Sequence, residues 1–87
     1  MWKLAEEVRW QHQRGDRFFV YQGQEGFEAN EVAIRVLELC RQPQKKKRIV
    51  EKLLEEYNAD RELVEADVNR IIVEFQKIGI IEEIKDE

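Results

Sequence analysis

Hydrophobic and polar positions divide the chain into a β-patterned first third and a helical remainder. Val8, Trp10 and His12 alternate with Arg9, Gln11 and Gln13, the period-two pattern of a half-buried strand. Arg14-Gly15-Asp16 supplies a turn, and Phe18-Phe19-Val20-Tyr21 is a second strand by its aromatic and β-branched content. Gly23 and Gly26 bracket another turn, after which Phe27-Glu28-Ala29 alternates as a short third strand. Two short turns predict consecutive antiparallel hairpins within residues 6–29.

The period then changes from two to 3.6. Asn30 is placed as an N-cap, with Glu31 complementing the positive helix end. Val32, Ala33, Val36, Leu37 and Cys40 recur at helical spacing, predicting a helix over 31–42 that stops near Pro43. Ile49, Val50, Leu53, Leu54 and Tyr57 mark a second helix over 46–57. Asn58-Ala59-Asp60 breaks it, and Asp60 can cap a third helix over 61–78, whose stripe is Val64, Val68, Ile71, Ile72, Phe75 and Ile78. Gly79 suits a left-handed helix stop. Ile80, Ile81 and Ile84 form an apolar tail able to lie back on the core as an extended segment. The order predicts one α+β domain over 1–87, winged helix-turn-helix-like, in which a three-stranded antiparallel sheet precedes three α-helices.

Composition narrows the chemistry. The 87 residues include no Ser or Thr, which removes Ser and Thr nucleophiles and hydroxyl helix caps together. One Cys cannot form an intrachain disulfide and fits a reducing, cytoplasmic compartment. No stretch approaches the roughly 20 apolar residues of a membrane span. Cys40 lies on an apolar helix face with no base in sight, so it is expected to pack as a small hydrophobe. His12 has no second His and no CxxC beside it, so no metal site is expected. Neither a catalytic cluster nor a cofactor is predicted.

Charge bears on nucleic acid. The net charge is −4, and Arg61, Arg70 and Lys77 in the third helix are outnumbered by Glu62, Glu65, Asp67 and Glu74. Phosphates would repel such a helix, which disfavours the alternative of a winged-helix DNA-binding transcriptional regulator. Lys45-Lys46-Lys47-Arg48 is the one dense basic run; it opposes the macrodipole at the start of the second helix and is either a solvated loop or a docking face. Three strands also leave two edges; such an edge is either short and covered by a loop or open, and an open one can capture an extended peptide or pair with itself into a homodimer.

The stretch from Asn30 to Ile81 resembles the PqqD family, the RiPP recognition elements that bind leader peptides of ribosomally made, post-translationally modified peptides. Asn30-Glu31-Val32-Ala33 with Val36-Leu37-Glu38-Leu39-Cys40 is similar to the family's first helix, and Arg48-Ile49-Val50-Glu51-Lys52-Leu53 to its second. Tyr57-Asn58-Ala59-Asp60-Arg61 matches the following loop. Val64-Glu65-Ala66-Asp67-Val68, running to Ile78-Gly79-Ile80-Ile81, resembles the third helix and terminus. Gln42-Pro43-Gln44-Lys45-Lys46-Lys47 departs from the family's acidic-glycine turn and Thr cap.

The resemblance implies a non-enzymatic adaptor that holds a leader peptide as a fourth strand beside the third and against the third helix. Carried over, the backbones of Phe27, Glu28 and Ala29 would pair with the leader, while Asp67, Ile71, Glu74 and Ile78 would line the groove and Arg70 would meet an acidic leader residue. The implied partners are a precursor peptide and a separate maturation enzyme, such as a radical-SAM protein of the pyrroloquinoline-quinone type or a lasso-peptide leader peptidase. Ending at Glu87, the chain would be a free-standing member or an excised domain.

Overall fold

The computed structural model describes residues 1–85; Asp86 and Glu87 lie outside the described residues. Eight elements follow one another: β1 (Trp2–Leu4), β2 (Val8–Arg14), β3 (Arg17–Gln22), β4 (Glu25–Asn30), α1 (Glu31–Leu39), α2 (Lys46–Glu56), α3 (Arg61–Lys77) and β5 (Ile81–Glu83). The architecture is α+β, with the antiparallel sheet β2-β3-β4 preceding the helices, compatible with a winged-helix-like arrangement.

Two tight hairpins build that sheet. Each has a glycine at the first position of a two-residue loop, Gly15 at φ 57° and Gly23 at φ 60°, where a type II′ turn needs positive φ. Val8, Trp10, Val20, Phe18, Phe27 and Ala29 share the inner face, as the register Trp10↔Val20↔Phe27 and Phe18↔Ala29 requires. Val20 is fully buried, and the others pack around it.

The helices close over this face. Asn30 Oδ1 accepts from Ala33 N at 2.9 Å and Asp60 Oδ1 from Glu62 N at 3.1 Å, so both caps are carboxamide or carboxylate in a chain without Ser or Thr. The first turn of α2 has no acidic residue, and no side chain caps it. Gly79, at φ 81°, ends α3: its N–H donates to Gln76 O at 3.1 Å and that of Ile80 to Phe75 O at 2.8 Å, a Schellman stop. Val36 and Leu37 of α1, Ile49 and Leu53 of α2 and Val68 of α3 meet in the core with Ile80 and Ile81.

One element departs from the sequence reading. Trp2–Leu4 is a strand, ahead of the predicted first strand, and pairs antiparallel with β5 as a second, two-stranded sheet. Ile80 and Ile81 do lie back on the core in an extended segment, as the sequence suggests; both are almost wholly buried, and Ala5 N donates to Ile80 O at 2.9 Å. Trp2 and Gln44 exchange two further backbone bonds, which fastens the loop carrying Pro43. Helix α1 accordingly stops at Leu39, and Leu4 N donates to the Cys40 carbonyl at 2.7 Å.

Between α1 and α2, Arg35 donates from Nε and Nη2 to both Glu56 oxygens at 2.7 and 2.5 Å. The hydrogen bonds from Arg35 hold the Glu56 carboxyl below its usual range, against the opposing effect of burial. A depressed folded value means stabilisation that is full above the unfolded carboxyl's ~4.3 and fades as pH falls through the lower folded one. Both side chains are about one-third exposed, so water screens the pair. Glu56→Gln is expected to cost under about 1 kcal/mol at neutral pH and to flatten the acid limb of stability, read by urea melts between pH 7 and pH 3.

Candidate peptide-binding site

The outer strand β4 pairs with β3 and has no further neighbour among the described residues. Its open side faces a groove of about 480 Å³ that runs between β4 and α3. Phe27, Glu28, Ala29 and Asn30 come from the strand, Ala33 from α1, and Arg70, Ile71, Glu74, Phe75, Lys77 and Ile78 from α3. Phe27 and Phe75 meet with centroids 5.6 Å apart at 42°, forming an aromatic floor. Ile71 is 5% exposed and belongs to that floor, whereas Ile78 is 49% exposed and stands at the open end. Arg70, Glu74 and Lys77 alternate in sign along the rim, so no single charge dominates it.

The hairpin fixes which backbone groups are free. Gln22 and Glu25 flank the two-residue turn and form its hydrogen-bonded pair; such pairs alternate along an antiparallel ladder. Glu25, Phe27 and Ala29 therefore direct N–H and C=O toward β3, and Gly26, Glu28 and the Asn30 N–H point to the open side. Of the three residues Phe27, Glu28 and Ala29, whose backbones the resemblance offers for pairing, Glu28 has its backbone groups on the open side, and Phe27 and Ala29 present side chains to the groove.

Of the remaining sequence-predicted positions, Arg70, Ile71, Glu74 and Ile78 lie on the groove and Asp67 does not. Asp67 sits one turn before Arg70, whose Nη2 is 3.4 Å from Asp67 Oδ1. Sequence reasoning missed Asn30, Ala33, Phe75 and Lys77. The signal for Lys77 was present, since it follows Arg70 by seven residues and so shares its helix face. Ala33 was legible only as a small residue in a stripe of Val, Leu and Ile, where its missing bulk leaves room.

The other candidate residues fall elsewhere. Cys40 is fully buried, and burial pushes its thiol up to about 11, which keeps it protonated and unreactive at neutral pH. His12 Nε2 donates to the Gly15 carbonyl at 2.6 Å, and its ring packs on Phe18 at 4.8 Å. Among the described residues, no group of three His, Cys, Asp or Glu could hold a metal ion, and no helix is long and apolar enough to cross a membrane. In the basic run, Lys46 Nζ donates to Asn69 Oδ1 and Arg48 lies 3.9 Å from Glu51.

An unpaired strand edge beside an apolar groove, on a winged-helix-like α+β frame, is the arrangement expected of a RiPP recognition element, a class the comparisons support. The model of the family described as coenzyme PQQ synthesis protein D (PqqD) matches residues 19–81, and the chain belongs to that family. Solved structures agree at the level of the fold. TbiB1 in complex with the TbiA(beta) leader peptide superposes with a TM-score of 0.75 at 23% identity, over 97% of this chain and 99% of that one. The PqqD truncation of Methylobacterium extorquens PqqCD, a stand-alone RiPP recognition element, gives 0.78 at 20% identity over 94% and 88%. Lasso peptide synthetase B1 complexed with its leader peptide gives 0.72 at 17% identity over 94% and 98%. Among curated protein sequences nothing matches.

Proposed function

We propose that this protein is a leader-peptide-binding adaptor. It captures a ribosomally made precursor as a fourth strand on β4 and presents it to a separate enzyme of RiPP maturation, of the lasso-peptide or pyrroloquinoline-quinone type. The carrying observation is the free backbone of Gly26 and Glu28 beside an apolar groove large enough for side chains to enter. Family membership and the leader-bound relatives support the reading. The receiving enzyme is a radical-SAM protein or a leader peptidase, and the basic start of α2, which is not part of the groove lining, offers it a docking face. The chain itself acts by binding, and the groove's ionisable groups Glu28, Arg70, Glu74 and Lys77 are placed to meet charged side chains of the peptide.

Fluorescence polarisation of labelled leader peptides from both pathway types, beside random-sequence duplex DNA, tests this. Micromolar or tighter binding to one leader, with weak and salt-sensitive binding to DNA, is the expected result. Tight DNA binding without any leader binding would sink the adaptor and favour a DNA-binding regulator.

Ile78→Asp is the cleaner groove variant than Ile71→Asp, because Ile71 is buried and a carboxylate there would cost the fold. Half-exposed Ile78 tolerates the change, and the charge wets the groove mouth. Leader affinity is expected to fall about tenfold with an unchanged thermal melt. Unchanged affinity would remove Ile78 from the site.

A further inference from the structure

The sheet has a second face at the same edge. Phe19 and Tyr21 project from β3 away from the core and stack with centroids 6.1 Å apart at 26°. Phe19 stands opposite Glu28 in the register, yet its ring leans diagonally over Gly26. A Cβ on residue 26 would overlap Phe19 Cζ and lie 2.6 Å from Cε2. Gly26 does not have positive φ, so the backbone conformation does not demand a glycine there. The ring does: it occupies the space of the side chain that residue 26 lacks, a packing known to compensate strand glycines.

This placement brings an aromatic ring to the rim of the sheet. Phe19, Tyr21, Gln11 and Gly26 surround a shallow outer hollow of about 330 Å³. A strand added to β4 would lie ~4.8 Å beyond it, with side chains alternating between the two faces. The added residue opposite Gly26 shares the outer face and meets no side chain on β4. Its nearest same-face neighbour is the Phe19 ring. The outer residue two positions along stands opposite Glu28, whose carboxylate favours a cation.

We propose that the captured peptide is read on both faces, with Phe19 as the outer-face recognition residue. It receives an aromatic or large aliphatic side chain, one position out of step with the residues that enter the groove. The ligand class is thus an extended segment with apolar residues alternating on the groove side. On the other side it carries an apolar residue and, two positions away, Lys or Arg. This rests on the strand-addition reading and extends it from affinity to sequence choice.

A random dodecapeptide library displayed on phage supplies the probe, selected in parallel on the full chain, on Phe19→Ala and on Ile78→Asp. Selected peptides are then synthesised with the intervening apolar residue intact or replaced by Ala. The expected result is enrichment of alternating apolar residues with an aromatic or large aliphatic residue between two of them. That intervening preference disappears on Phe19→Ala. In a double-mutant cycle, the intervening residue gives about fivefold in affinity on the full chain and none on Phe19→Ala. Should Phe19→Ala melt too early to select on, Phe19→Leu keeps apolar bulk, and the same cycle reads the aromatic share. Peptides that lose affinity on Ile78→Asp but show no preference between the groove positions would overturn outer-face recognition and leave groove capture standing. Peptides indifferent to both variants, or none enriched, would overturn strand addition as well.

Discussion

Glu28→Pro is expected to lose about thirtyfold in leader affinity while the protein melts within about 4 °C of the parent. The reason is directional. The Glu28 N–H points away from β3, so proline at 28 removes no bond within the sheet, and edge strands accept proline in that orientation. The residue before it, Phe27, is already extended, as a residue preceding proline must be. For a peptide arriving at this edge the change is severe. One donor vanishes, and the pyrrolidine ring stands where the incoming backbone must approach. Two strand bonds weakened, at about 1 kcal/mol net each, give the stated factor. Ala29→Pro is the control. Its N–H faces β3, so proline there breaks the β3–β4 ladder and should unfold the sheet. If both variants melt alike, the assignment of free backbone groups is wrong. If Glu28→Pro folds and binds its leader unchanged, the peptide does not pair with β4. The readouts are circular dichroism melts and fluorescence polarisation on the same preparations.

What could be read in the sequence follows the range of each signal. The stripe of α3, the caps at Asn30 and Asp60 and the two glycine turns are local, and each was visible within a few residues. Trp2–Leu4 was not, because three residues show no period and their partner, Ile81–Glu83, lies at the other end of the chain. Asp67 shows a different limit. Helical spacing correctly puts it on one row with Ile71, Glu74 and Ile78, but a row has no length of its own. The four β4 residues on the groove cover ~13 Å, which Arg70 to Ile78 already match at ~1.5 Å per residue, so Asp67, a turn earlier, lies past the groove's end. Which backbone groups of β4 are free follows from the length of the turn, because a two-residue loop at Gly23-Gln24 makes Gln22 and Glu25 the hydrogen-bonded pair. Composition alone does not decide that.

Phe75→Ala is expected to have the largest effect on the fold and, unlike truncation of core residues outside the groove, to damage the site with it. Phe75 is 6% exposed and in contact with Phe27. Removing a buried ring costs about 3–5 kcal/mol, out of a total of roughly 4–13 for a chain of this size. The thermal midpoint should fall by roughly 20 °C. Leu37→Ala makes the comparison informative. Leu37 is fully buried in α1 but absent from the groove, and its truncation should cost about 2–5 kcal/mol. Ligand linkage then separates core from site. A leader at one hundred times its dissociation constant stabilises the folded state by about 2.7 kcal/mol. Leu37→Ala keeps the groove and should keep that full increment. Phe75→Ala loses half of the aromatic floor. If its affinity falls tenfold, the same leader concentration restores only about 1.4 kcal/mol. Melts with and without leader measure both increments directly. Equal stabilisation of the two variants would place Phe75 in the core alone and detach the groove from the binding surface. A halved increment for Phe75→Ala only would tie the hydrophobic core and the peptide site to the same side chain.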